Sequence, residues 1–93
     1  MPTYVLIIRD PSQHEIAVGR LKETFPDFRE IAPNAWAIKA AKPSEDISQA
    51  LFPREEGKAS VSHAVFLTTS WWGFHSRSLW EWLSLPPAEE KHD

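Results

Sequence analysis

The stretch HAVFLTTSWWGFHSRSLWEWL, residues 63 to 83, joins an apolar strand pattern to a tryptophan-rich segment, and the rest of the chain has to fit around it. Four of the chain's five tryptophans lie here, namely Trp71, Trp72, Trp80 and Trp82. A buried aromatic side chain removes roughly 150–250 Å² from water. At about 25 cal/mol per Å² this is several kcal/mol for each ring. The rest of the chain must therefore supply apolar surface against which these rings can pack.

Composition limits the class of protein. The 93 residues suffice for one domain, with a net charge of −3 and ten basic residues scattered singly. The absence of cysteine excludes disulfides, thiol catalysis and thiolate metal sites. No apolar run reaches the roughly 20 residues that a membrane span needs, and no basic stretch precedes an apolar segment near Met1. We expect a cytoplasmic protein without a membrane segment.

Residue patterns predict the element order β-α-β-β-α-β, followed by a tryptophan-rich C-terminal segment. Strands are predicted at residues 4–10, 28–33, 34–40 and 63–69, with helices following Ser12 and Ser44 and a polar loop at residues 54–60. After Gly73, a short helix would place Leu79, Trp82 and Leu83 on one face. Residues 1–85 form the predicted domain, and residues 86–93, which follow Pro86-Pro87, form a predicted disordered tail.

This element order predicts a ferredoxin-like α+β fold. Right-handed crossovers place both helices on one face of a four-stranded antiparallel sheet with the spatial strand order 4-1-3-2.

The second face of this sheet requires its own cover. Both alternating side-chain sets are apolar in the first strand and again in the fourth, yet the two helices cover only one face. The cover is the C-terminal segment, a second copy of the chain, or both. We predict a homodimer that packs through this face, with the C-terminal segment contributing. The predicted interface residues are Leu6, Ile8, Phe66, Trp71, Trp72, Phe74, Trp80 and Trp82.

Asp10 is the strongest candidate for chemistry. A pair of Asp10 carboxylates across a dimer axis could hold one Mg²⁺ and orient a water for attack on phosphate. A structural interpretation competes, because Asp10 before Pro11 also fits a helix N-cap with proline at the first helical position. Ser12 with Glu15 has the form of a rival capping box.

Other polar residues give weaker patterns. The histidines His14, His63, His75 and His92 lack the i, i+4 spacing that would place two metal ligands on one helix face, so we expect no histidine metal site. The tryptophans could stack on nucleotide bases, with Arg77 and Arg9 as candidate phosphate contacts. Packing in the core or in a dimer is the competing interpretation of the same tryptophans.

Three motifs resemble the SinR-like small proteins, which are related to the CRISPR adaptation subunit. They are the aspartate that ends YVLIIRD, the tryptophan in NAWAIKA and the ending SWWGFHSRSLWEWL, and the similarity spans roughly residues 3 to 84. The resemblance implies a dimer whose sheets pack face to face. Some relatives are metal-dependent nucleases that use the strand-one aspartate of each protomer, and only Asp10 matches that residue. Pro11-Ser12-Gln13 stand where those nucleases carry basic and polar residues.

These observations predict a homodimeric binding or scaffold protein, without catalysis or cofactor, that acts on a protein or nucleic-acid partner. One alternative is a Mg²⁺-dependent nuclease built on the Asp10 pair. Another alternative is a small inhibitor of a larger nucleoprotein complex.

Overall fold

The computed structural model describes residues 1–55, 58–59, 61–69 and 77–84. The described strands are β1 (Thr3–Ile8), β2 (Phe28–Ala32), β3 (Ala35–Lys39), β4 (Arg54–Glu55), β5 (Lys58–Ala59) and β6 (His63–Thr68). The described helices are α1 (His14–Thr24), α2 (Ser44–Leu51) and α3 (Arg77–Ser84), and a 3₁₀ turn at Pro11–Gln13 precedes α1.

Four of the strands form an antiparallel sheet in the order β2-β3-β1-β6. When only the strands of this sheet are numbered along the chain, the order is 2-3-1-4, which is the predicted 4-1-3-2 read from the other edge. The prediction of a ferredoxin-like α+β fold is therefore confirmed. The predicted polar loop at residues 54–60 is wrong, because β4 and β5 pair there as a separate two-stranded sheet.

The first face of the sheet packs against α1 and α2. Leu6 and Ile8 of β1 point to this face, and Leu6 lies between Trp36 of β3 and Val65 of β6. Other large side chains that are fully buried include Leu21, Ile38, Ile47, Leu51 and Phe52. Since successive strand side chains alternate between faces, Val5 and Ile7 point the opposite way.

The prediction that Leu6 and Ile8 belong to a dimer interface is therefore wrong. Both side chains are 0 % exposed within a single chain. Both belong to the core beneath the helices. Either alternating set of β1 could have faced the helices, because both sets are apolar.

Helix α3 lies on the second face of the sheet. Leu79 and Trp82 pack there against Ala37 of β3, with Ile31 and Leu83 partly buried around them. The predicted short helix is confirmed, together with the common face of Leu79, Trp82 and Leu83. Within the described part of the chain, none of the helices is long and apolar enough to cross a membrane.

Candidate functional site

Asp10 follows β1 and caps the 3₁₀ turn before α1. Its carboxylate oxygen Oδ1 accepts a hydrogen bond from the backbone N–H of Ser12 at 3.0 Å, and Pro11 begins the turn. The predicted Ser12 capping box is wrong, because Gln13 precedes α1 without a side-chain cap bond. The competing interpretation of Asp10 as an N-cap is confirmed.

The cap changes the acidity of Asp10. Hydrogen bonds from Ser12 favour the charged carboxylate and lower the pKa of Asp10 below its ordinary value of 3.8. Across the described ranges, no cluster of three or more His, Asp or Glu side chains could hold a metal ion. Within one chain the carboxylate therefore has a structural role, and an Asp10 pair across a dimer axis stays a prediction.

A lowered pKa in the folded state makes stability depend on pH. The contribution of Asp10 is fully present above 3.8 and is lost as pH falls through the lowered folded-state pKa. We expect Asp10→Asn to keep an oxygen acceptor for the Ser12 N–H and to lose this dependence. The measurement is the free energy of unfolding of both proteins between neutral pH and about pH 3. Parallel pH profiles for the two proteins would contradict the capping role.

Trp82 fixes α3 to the second face through several contacts. Its indole Nε1 donates to Asp27 Oδ1 at 2.8 Å, and its ring lies 4.5 Å from the Lys39 ammonium and 5.4 Å from the Arg29 guanidinium. Lys39 is 4 % exposed, and its Nζ donates to the Trp82 carbonyl at 2.6 Å. A cation near the C-terminal carbonyls of a helix also complements the helix dipole.

Trp82 is 5 % exposed and is covered by its own chain. Its assignment to the dimer interface is therefore wrong, and the second face is covered in cis at this point. Trp80 on the same helix is half-buried, so its assignment to an interface stays a prediction. Trp71, Trp72 and Phe74 lie outside the described residues.

Helix α3 covers the β2–β3 half of the second face. On the β1–β6 half, four apolar side chains lie next to one another, beyond the Thr3 and Thr68 pair. We call these four the apolar strip: Val5, Ile7, Ala64 and Phe66. Phe66 lies opposite Val5 and Ala64 lies opposite Ile7 across the strand pair. Phe66 is 54 % exposed and Ile7 is 38 % exposed. Among the predicted interface residues that the structure describes, Phe66 lies at the surface of this face.

The two candidate nucleic-acid contacts lie on different elements. Arg9 is exposed directly after β1, and its backbone N–H donates to the Ser62 carbonyl at 2.9 Å. Arg77 opens α3, and its Nε donates to Glu81 Oε1 at 2.9 Å. This ion pair offsets the charge of Arg77, and phosphate binding by either residue stays a prediction.

A hydrogen-bonded pair that sequence reasoning missed joins α2 to β6. Ser48 Oγ lies 2.6 Å from His63 Nε2, and His63 Nδ1 lies 2.7 Å from the Val61 carbonyl. A carbonyl only accepts, so Nδ1 carries a proton, and in the neutral imidazole Nε2 then accepts the Ser48 hydroxyl proton. Arg54 Nη2 donates to the same Oγ at 3.4 Å.

A serine hydroxyl bonded to a neutral histidine is the geometry of an activated nucleophile. Ser48 is 8 % exposed, however, and neither of two surface cavities, of about 320 and 550 Å³, is lined by Ser48 or His63. The pair therefore satisfies a buried hydroxyl and holds α2 against β6. No local spacing could reveal it, because 15 positions separate the two residues.

The geometry defines a small ferredoxin-like α+β protein with an apolar strip beside a docked C-terminal helix. Comparison of the chain with protein-family models, with curated proteins and with solved structures found no match. The resemblance to the SinR-like proteins therefore stays a prediction that rests on the quoted motifs.

Proposed function

We propose that this chain is a homodimeric binding or scaffold protein whose protomers associate through the apolar strip. One observation carries the proposal: α3 covers only part of the second face, and Phe66 and Ile7 lie exposed on the remainder. Contiguous exposed apolar surface is characteristic of interaction sites.

The chemistry of the strip favours association over catalysis. Val5, Ile7, Ala64 and Phe66 carry no charge, hydroxyl or other reactive group. Their contribution is apolar area, at about 25 cal/mol for each Å² removed from water. The function we propose requires no cofactor and operates in the cytoplasm. The resemblance to the CRISPR adaptation subunit supports a protein or nucleic-acid partner for the dimer.

The nuclease alternative requires Asp10 to take part in Mg²⁺-dependent cleavage. Cleavage of nucleic acid would have to depend on Mg²⁺ and disappear in Asp10→Ala. The hydrogen bond from Ser12 accounts for Asp10 without a metal, so we prefer the binding function.

Substitution of Phe66 tests the proposal. We expect Phe66→Glu to convert a concentration-dependent dimer into a monomer, because a carboxylate would lose its water when the strip is buried. An increase of at least about 30-fold in the dimer dissociation constant would mark Phe66 as a central contact. Sedimentation velocity over a concentration series provides the measurement.

Ile16 offers a matched control. It lies on α1, behind the other face of the sheet, and is 49 % exposed. Ile16→Glu introduces the same charge at a comparable exposed fraction, and we expect it to leave the dimer intact. The proposal fails if the wild-type protein stays monomeric at high concentration, or if the two variants weaken association equally.

A further inference from the structure

The two edge strands of the main sheet, β2 and β6, differ in how they are protected against pairing with a strand of another molecule. Edge strand β2 carries Arg29 and Glu30, and its register with β3 shifts between Glu30 and Ala32. Charges and irregular register are devices that prevent an edge from pairing with another strand. Edge strand β6 reads HAVFLT, without Lys, Arg, Asp, Glu or Pro, and its six residues pair with β1 without a shift. Among the described strands only β1 pairs with β6, so the described residues leave the other edge of β6 open to pairing.

In β6, the backbone N–H and C=O groups of every second residue point away from β1, to the open edge. The Arg9 N–H donates to the Ser62 carbonyl, so the backbone groups of Ser62 point toward β1. By alternation, the backbone groups of Ala64 and Phe66 also point toward β1. The N–H and C=O groups of His63, Val65 and Leu67 therefore point away from β1. Among the described residues, none of these groups takes part in a backbone hydrogen bond outside the strand pairs of the sheet.

We propose that two copies of the chain pair antiparallel through β6, with the twofold axis at Val65. The proposal rests on the proposed homodimer and specifies its geometry. Val65 then pairs with Val65 of the second copy, and His63 pairs with Leu67. These are the residues whose backbone groups point outward, so they form the hydrogen-bonded pairs, and the two four-stranded sheets become one sheet of eight strands.

Side chains on the second face fit this register. Phe66 of each copy lies opposite Ala64 of the other, in a close pair that is not hydrogen-bonded. The large ring meets a small neighbour, and the apolar strips of the two copies become continuous across the axis. The register that brings Phe66 opposite itself would pair Val65 with Leu67 and crowd the two rings together across the axis.

The absence of charge on β6 favours a second copy as the occupant, and the buried area sets how tightly that copy can bind. No acidic side chain and no Lys or Arg lies on β6, so pairing with itself brings no like charges together. An aromatic ring removes roughly 150–250 Å² when fully buried, so Phe66 contributes on the order of 100 Å². With Leu67, Ile7 and the backbone edge, each copy would bury about 400 Å², which is below the size of stable interfaces. The dimer should therefore dissociate in the micromolar range.

Amide hydrogen exchange tests the pairing without a substitution. We expect the Val65 and Leu67 amides to exchange about tenfold more slowly once nine-tenths of the protein is dimeric, because exchange would then proceed from the monomer. The Phe66 amide bonds to β1 and should change little with concentration. Protection of Val65 and Leu67 in a protein that sediments as a monomer would overturn the proposal and identify a segment of the same chain as the occupant.

The substitution Leu67→Pro distinguishes a dimer that pairs through the β6 edge from one that packs face to face. The Leu67 N–H points outward, so Leu67→Pro removes a donor from the open edge and keeps every bond to β1. We expect the variant to retain the circular dichroism of the wild type and to sediment as a monomer. A folded Leu67→Pro dimer would refute edge pairing and leave the proposed homodimer standing. A monomeric wild-type protein would refute both.

Cysteine crosslinking gives a second test that does not depend on the folding of the proline variant. The chain has no cysteine of its own. A mixture of Ala64→Cys and Phe66→Cys proteins should form a mixed disulfide under mild oxidation, because these positions face each other across the proposed axis. Each variant alone should crosslink at least about tenfold more slowly. Equal rates for the single variants and the mixture would exclude this register.

Discussion

Replacing Trp82 with alanine should lower the free energy of unfolding by about 3–5 kcal/mol, the usual cost of truncating a buried tryptophan. Trp82 is 5 % exposed and is the largest side chain that α3 contributes to the second face. The truncation removes its packing on Ala37, the hydrogen bond to Asp27 and the ring beside the Lys39 ammonium. Urea denaturation followed by circular dichroism measures the loss.

Trp80→Ala is the matched control for this prediction. Trp80 lies on the same helix, has the same side chain and is only half-buried. The truncation leaves the contacts of Trp82 intact, so we expect a loss of less than about half that of Trp82→Ala. Equal losses would show that α3 is not fixed to the sheet through Trp82.

Leu6→Ala should lower the free energy of unfolding by about 2–5 kcal/mol. Leu6 is 0 % exposed on the central strand, between Trp36 and Val65. A cavity there cannot collapse easily because both neighbouring strands are held in register. We expect the dimer dissociation constant of the folded variant to equal that of the wild type, since Leu6 does not reach the second face.

Val5→Ala is the complementary control on the same strand. Val5 belongs to the apolar strip, so its truncation should weaken the dimer more than it lowers stability. Denaturation and sedimentation velocity on both variants give the comparison. If Leu6→Ala weakened the dimer and left stability unchanged, the original assignment of Leu6 to the interface would be restored.

Much of the fold was predictable because it depends on local patterns. The apolar run at the first strand predicted its central position, and β-α-β-β-α-β connectivity with right-handed crossovers predicted the strand order. The spacing of Leu79, Trp82 and Leu83 predicted the face of the C-terminal helix. The Asp10-Pro11 pair predicted an N-cap, although residue type alone left a metal ligand as the competing interpretation.

Contacts between distant positions could not be predicted in the same way. Ser48 and His63 are brought together by packing of α2 on β6, and Trp82 is brought to Asp27 by packing of α3 on the second face. In neither pair does the separation along the sequence indicate that the two residues are in contact.

The residue pattern was enough to predict the order of the elements around the four-stranded sheet and the excess of apolar surface on its first and last strands, but it missed the β4–β5 pair. Only the tertiary structure decided that Leu6 and Ile8 face the helices, while Val5 and Ile7 lie on the second face. The physical reason is that a strand with both alternating sets apolar has no preferred side. The set that faces the helices is the one whose side chains pack best against α1, α2 and the neighbouring strands.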